Sequence, residues 1–311
     1  MGNASASCKS DVSERRSRAP EIDRKRPGAT GVVRLFFFLA VFAVYSTVAF
    51  SQDLSAYAEK LRSGNIEEKR EALFQLRNLR SEDASRIAVT ALRDSTPIVR
   101  ATAASSVIFL PKTEASAALL PLLRDKDEFV RREGAFALGQ VGDPAAGSQL
   151  VSTLSNDKSA EVKTAAAIAI GKVGDPAAVS VLVELFDKMP NDDNELLRSA
   201  AARSIGQIAE KMRSGTITTL TPQNFLPEKY KDLGTKPTPD LQSNFTDAVR
   251  RLTEVLESSA EADDTRREAA FALGAIGEPS AESALLKYVN SADPYLAEIC
   301  REALMKLKAA E

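Results

Sequence analysis

Residues 131–144 read RREGAFALGQVGDP and residues 266–279 read RREAAFALGAIGEP; ten of the fourteen positions are identical. Between them lies KTAAAIAIGKVGDP at 163–176, followed by a weaker copy, RSAAARSIGQIAEK, at 198–211. Upstream, Val99-Arg100 repeats Val130-Arg131 at an offset of 31. Periods of 31 to 35 residues, without any alternating β-branched run, mean stacked helical hairpins.

Each unit divides into two helices. Asp143-Pro144 opens a first helix, with Pro where a missing N–H costs nothing, and AAGSQLVSTL continues it to the Ser155-Asn156-Asp157 break. AEVKTAAAIAIGKV then forms a second helix that stops at Gly174. Gly142, Gly174 and Gly277 each follow the last apolar residue, where a left-handed residue closes a helix. Within a second helix, Val130, Gly134, Ala137, Leu138 and Val141 fall on one stripe at helical spacing, which predicts the core. The fold class is all-α, a solenoid of about seven hairpins spanning approximately 52–80, 81–111, 112–142, 143–174, 175–213, 240–277 and 278–308. Residues 214–239 break the pattern. Pro222, Pro227, Pro237 and Pro239 forbid a long helix there and predict an insertion.

Ahead of the array, residues 35–50 read LFFFLAVFAVYSTVAF behind Arg34, an apolar run that ends in small residues. This is the pattern of a secretory signal peptide over residues 32–51, with retention as a membrane anchor as the alternative. Residues 1–31 are polar, rich in Arg and Ser, and without periodicity, and are read as a disordered extension; the reading frame is expected to start at Val32 or Val33. The expected location is therefore periplasmic or extracellular. Residues 1–51 carry eight Lys/Arg and four Asp/Glu, so their removal takes the formal charge from −2 to −6. An acidic body without Trp argues against nucleic-acid binding.

The pattern V-R-x-x-A-A-x-A-L-G-x-[IV]-G-D-P is fullest at 130–144 and 162–176, then at 265–279 with Thr265 and Glu278 as departures. It resembles the HEAT family, and within it the phycobilisome-lyase HEAT-like subgroup, over roughly residues 52–308. Tetratricopeptide repeats share the period, but their Trp, Gly-Tyr and Pro landmarks are missing. The resemblance implies that the basic residue after Val pairs with a turn Asp of a neighbouring unit; Arg100, Arg131, Lys163, Arg198 and Arg266 hold that position. It also raises two activities. Bilin attachment is performed by cytoplasmic paired subunits, which the export segment opposes. Deoxyhypusine hydroxylation needs iron held through His-Glu motifs, and this chain has no His.

The absence of His also removes imidazole catalysis. Asp192-Asp193 and Asp263-Asp264 precede helices and read as caps rather than metal ligands. No catalytic residue, cofactor or metal is expected, and the chain is read as a non-catalytic scaffold for a protein partner; a lyase-related enzyme subunit is the alternative. At 100° per residue, Arg132 and Phe136 point away from the core stripe, as do Arg267 and Phe271, and Arg203 stands at the register of Phe136. These five residues are the expected contacts on a concave surface. Cys300, in register with Gly134, is expected to be buried.

Overall fold

The computed structural model describes residues 54–191, 193–217 and 241–308. The expectations for the N-terminal extension, the apolar segment, Asp192 and all but the first four residues of the insertion lie outside the described residues. Among the described residues, no helix is long and apolar enough to cross a membrane.

The repeated G-D-P signature explains how one hairpin hands over to the next. Helix α6 (Glu128–Val141) starts where the side chain of Asp127 accepts hydrogen bonds from Phe129 N and Val130 N, and stops at Gly142, whose φ is +62°. Asp143 then accepts from Ala145 N, capping a 3₁₀ turn at Pro144–Ala146 that leads into α7 (Gly147–Asn156). The same sequence of events closes α8 (Ala160–Val173) at Gly174 and opens α9 (Val179–Val183) through Asp175. Where Glu278 replaces the Asp, no such cap forms.

Seven hairpins follow among the described residues. A helix over 54–63 (α1) precedes α2 (Ile66–Asn78); α3 (Glu82–Ala88) precedes α4 (Pro97–Ala104); α5 (Lys112–Leu119) precedes α6. Then α7 pairs with α8, α9 with α10 (Glu195–Ile217), α11 (Leu241–Glu257) with α12 (Asp263–Ile276), and α13 (Glu282–Leu286) with α14 (Pro294–Lys308). Each second helix packs on the next, so α2, α4, α6, α8, α10, α12 and α14 form one row. A single buried cluster runs along it from Leu61 to Leu307. The expected stripe of Val130, Gly134, Ala137, Leu138 and Val141 is buried. Small residues let the row close up: a Cβ on Gly139 would lie 2.8 Å from Ala169 Cα of the next helix. Cys300 is fully buried, and burial pushes its thiol up to about 11.

Ion pairs tie most turns to a neighbour. Lys69 reaches Asp94 at 2.7 Å, Arg100 holds Asp125 through two bonds of 2.8 Å, and Arg131 holds Asp157 at 2.7 and 3.0 Å. The NH1 groups of Arg100 and Arg131 also donate to two carbonyls each of their own hairpin's turn, so each guanidinium clamps two turns together. Two expected members depart from the ladder. Lys163 makes no ion pair among the described residues, and Asp187 is taken by Arg251. Arg266 donates to Leu256 O at 3.0 Å and stacks on Tyr288, while Arg267 takes the rung to Asp293 at 2.8 Å. The cause is a one-residue slide of the turn acid. Arg131 and Asp157 are 26 residues apart, and Arg267 and Asp293 keep that spacing by moving together.

Candidate functional site: a basic cleft across the second helices

Helix α10 departs from its siblings at its end. Where α6 and α8 stop at Gly-Asp-Pro, the matching residues of α10 are Ala209, Glu210 and Lys211, none of which ends a helix. The helix therefore runs 23 residues, against 14 for α6, α8 and α12, and carries through residues 214–217, where the insertion was expected to begin.

The extension crosses the ends of two neighbours. Lys211 Nζ donates to the carbonyls of Lys172 and, at 3.5 Å, Val173, which are orphan acceptors at the end of α8. Arg213 NH1 donates to Ala275 O of α12 at 3.0 Å. Gly174 and Gly277, at φ of +82° and +76°, stand where these side chains pass. A Cβ would come within 2.5 Å of Lys211 Cδ at the first and 2.6 Å of Arg213 NH1 at the second. The two glycines thus serve both the left-handed backbone and the cation that caps it.

Around this extension lies a cleft of about 900 Å³, walled by α5 and by the C-terminal ends of α6, α8, α10, α12 and α14. Among the described residues its lining holds Lys112, Lys172, Lys211, Arg213 and Lys306 against one carboxylate, Glu210, which pairs with Lys306 at 2.9 Å. Burial, and the charge of Lys112, hold the Lys211 ammonium below its usual pKa. Lys112 and Lys172 make no side-chain bond among the described residues. At Gln140 the cleft meets a second depression lined by Phe74, Arg77, Arg80, Ile108 and Phe109, which extends the surface over α2 and the turn after α4. Phe74 is 54% exposed.

None of the five residues expected to contact a partner is among the described lining of the cleft or the depression, and each is engaged with a neighbour. Arg132 bonds Glu133 and, across to α8, Glu161 at 2.9 Å, and covers the Phe129 ring. Phe136 is half-buried and packs on the core. Arg203 is exposed and reaches Glu268 of α12 at 2.6 Å. Arg267 belongs to the ladder and also bonds Asp264 at 2.6 Å. The Phe271 ring fills the space a side chain on Gly206 of α10 would occupy, with Lys306 5.2 Å from its centre. The cleft itself was not foreseen. Its cations lie on separate hairpins, and a local signal was the replacement of Gly-Asp-Pro by Ala209-Glu210-Lys211.

The model for HEAT repeats matches residues 54–138 and 116–206, and the model for the PBS lyase HEAT-like repeat matches 265–291. The chain belongs to the HEAT-repeat family. No curated protein matches this HEAT-repeat chain. Among solved structures it is similar to human deoxyhypusine hydroxylase in complex with glycerol, at 21% identity over 85% of this chain and 99% of that one, with a TM-score of 0.39. It is likewise similar to the CpcE–CpcF phycocyanin lyase complex of Nostoc sp. PCC7120, at 21% identity over 83% and 89%, with a TM-score of 0.45. A designed armadillo repeat protein in complex with the peptide (KR)4 matches at 17% identity over 82% and 99%, with a TM-score of 0.42. These likenesses are of fold alone.

Proposed function

We propose that this HEAT-repeat chain is a non-catalytic scaffold that binds a protein partner along the row of second helices, and that it works outside the cytoplasm. The observation that carries the binding reading is the continuity of the surface: the cleft and the depression beside it share Gln140 and draw on α2, the turn after α4, and then α6, α8, α10, α12 and α14. A surface of that form suits an extended partner. The absence of His supports a non-catalytic role, and the apolar run at 35–50 supports export. Affinity capture from the envelope fraction of the source cells, with the tagged full chain, tests both parts. Recovery of a defined protein from that fraction supports them, and residence of the chain in the cytoplasm removes the export half.

The match of residues 265–291 to the PBS lyase HEAT-like repeat favours a second reading, an enzyme subunit related to bilin lyases. Incubation of the chain with a free bilin and an apo-phycobiliprotein separates the two. Covalent attachment of the pigment, read from absorbance under denaturing conditions, would establish the lyase reading against the scaffold.

A further inference from the structure

Arg80 follows α2 with φ of +48°, the only positive φ at a residue other than Gly among the described residues. Counted from the ladder cations Lys69 and Arg131, it occupies the register of Gly142. Three other second helices carry Gly at that place, with φ between +62° and +82°. A left-handed arginine is strained relative to glycine, and its guanidinium makes no side-chain bond among the described residues. The strain brings a cation to the rim of the same surface whose cleft holds five cations against Glu210. The chain as a whole has a formal charge of −2, so this positive charge is local.

Not all of it is spent inside the fold. Lys211 and Arg213 cap helix ends and Lys306 pairs with Glu210, but Lys112 and Lys172 stand free. Neighbouring helices lie roughly 10 Å apart, so no single small anion touches cations on α5, α8, α10 and α14 together. A single-stranded nucleic acid favours stacking faces, and among the described residues no aromatic lines the cleft itself; Phe74 and Phe109 line only the depression beside it. An extended polypeptide with acidic side chains meets both conditions.

We propose that the cleft is a docking groove for an acidic, extended peptide segment of the partner, with Lys112 and Lys172 as its principal charge contacts and Arg80 as an outlying one. This proposal rests on the scaffold reading and adds the chemistry of the partner. Cations spaced one helix apart set the register of the segment, and the capped helix ends between them hold the groove open.

The test is fluorescence anisotropy of a labelled oligo-glutamate peptide titrated with the full chain. Binding is expected, weakening as salt rises. The double reversal Lys112→Glu with Lys172→Glu removes no bond within the fold and is expected to weaken it roughly tenfold or more. Arg80→Gly is expected to weaken binding while raising the melting temperature, an outcome a purely structural arginine would not produce. No binding of the peptide, or undiminished binding by the double reversal, overturns the proposal. So does equal binding of a single-stranded oligonucleotide of the same charge. A protein partner still captured by the double-reversed chain overturns the acidic groove and leaves the scaffold reading standing.

Discussion

Arg198 Nε donates to Glu261 Oε2 at 3.0 Å, although 63 residues separate the two, and both side chains are 3% exposed. The other ladder rungs span 25 or 26 residues and stay partly open to solvent. This one joins α10 to the turn before α12 and passes over the whole insertion, so the second helices on either side stack as direct neighbours. NH1 of Arg198 also donates to Leu185 O and Lys188 O, and the guanidinium lies 5.1 Å from the Phe186 ring centre.

Breaking that pair strands a buried charge. Arg198→Ala or Glu261→Ala is expected to cost about 3–5 kcal/mol. Arg132→Ala, which cuts a far more exposed pair to Glu161, is expected to cost under about 1 kcal/mol of ion-pair energy. Chemical denaturation of the variants checks this; equal losses would mean that burial does not govern the rungs.

The ladder acids set an acid limit. Burial pushes Asp94, Asp125 and Asp157 up, but hydrogen bonds from Lys69, Arg100 and Arg131 and from backbone N–H groups outweigh it, leaving all three below the usual range. Their stabilisation is complete above the unfolded value of about 3.9 and is lost as pH falls through the lower folded values. Stability measured from pH 6 to pH 2 should drop below about pH 4, and the Asp125→Asn with Asp157→Asn variant should lose part of that dependence.

The capping role of α10 separates from the cost of a left-handed backbone. Gly142→Ala and Gly174→Ala share the positive φ, worth about 1 kcal/mol. At Gly142 the nearest atom to a new Cβ is 3.7 Å away, whereas at Gly174 Lys211 Cδ is 2.5 Å away. Thermal unfolding should show the larger loss at Gly174, and Lys211→Ala should remove the excess.

Phe271 is wedged against Gly206, so Phe271→Ala is expected to cost about 2 kcal/mol of stability, below the figure for a fully buried ring. An unchanged melting point would return Phe271 to the binding surface as a free anchor.

The parts of the fold that could be read in advance are those in which a local pattern repeats. Val130, Leu138 and Gly142 declare a helix face and its end within a few residues, so the hairpins were legible. The ladder was legible at Arg100 and Arg131 for the same reason. It was misplaced at Arg266 because the partner acid sits one residue later in a turn that tolerates such a slide, and nothing near Arg266 records it. The cleft was illegible because Lys112, Lys172, Lys211 and Lys306 become neighbours only when separate hairpins stack. Arg80, at the place of a glycine, was a second signal that gains meaning only beside that cleft.

As a scaffold, the chain would carry its protein partner along the second helices. Site-specific photocrosslinking in the source cells tests it most directly, with benzoylphenylalanine placed at Gln140, where the cleft and its extension meet, or at Ser152, which is exposed on the first-helix side. A defined protein adduct is expected from position 140 and none from position 152. Adducts from position 152 alone, or from neither position, would contradict it.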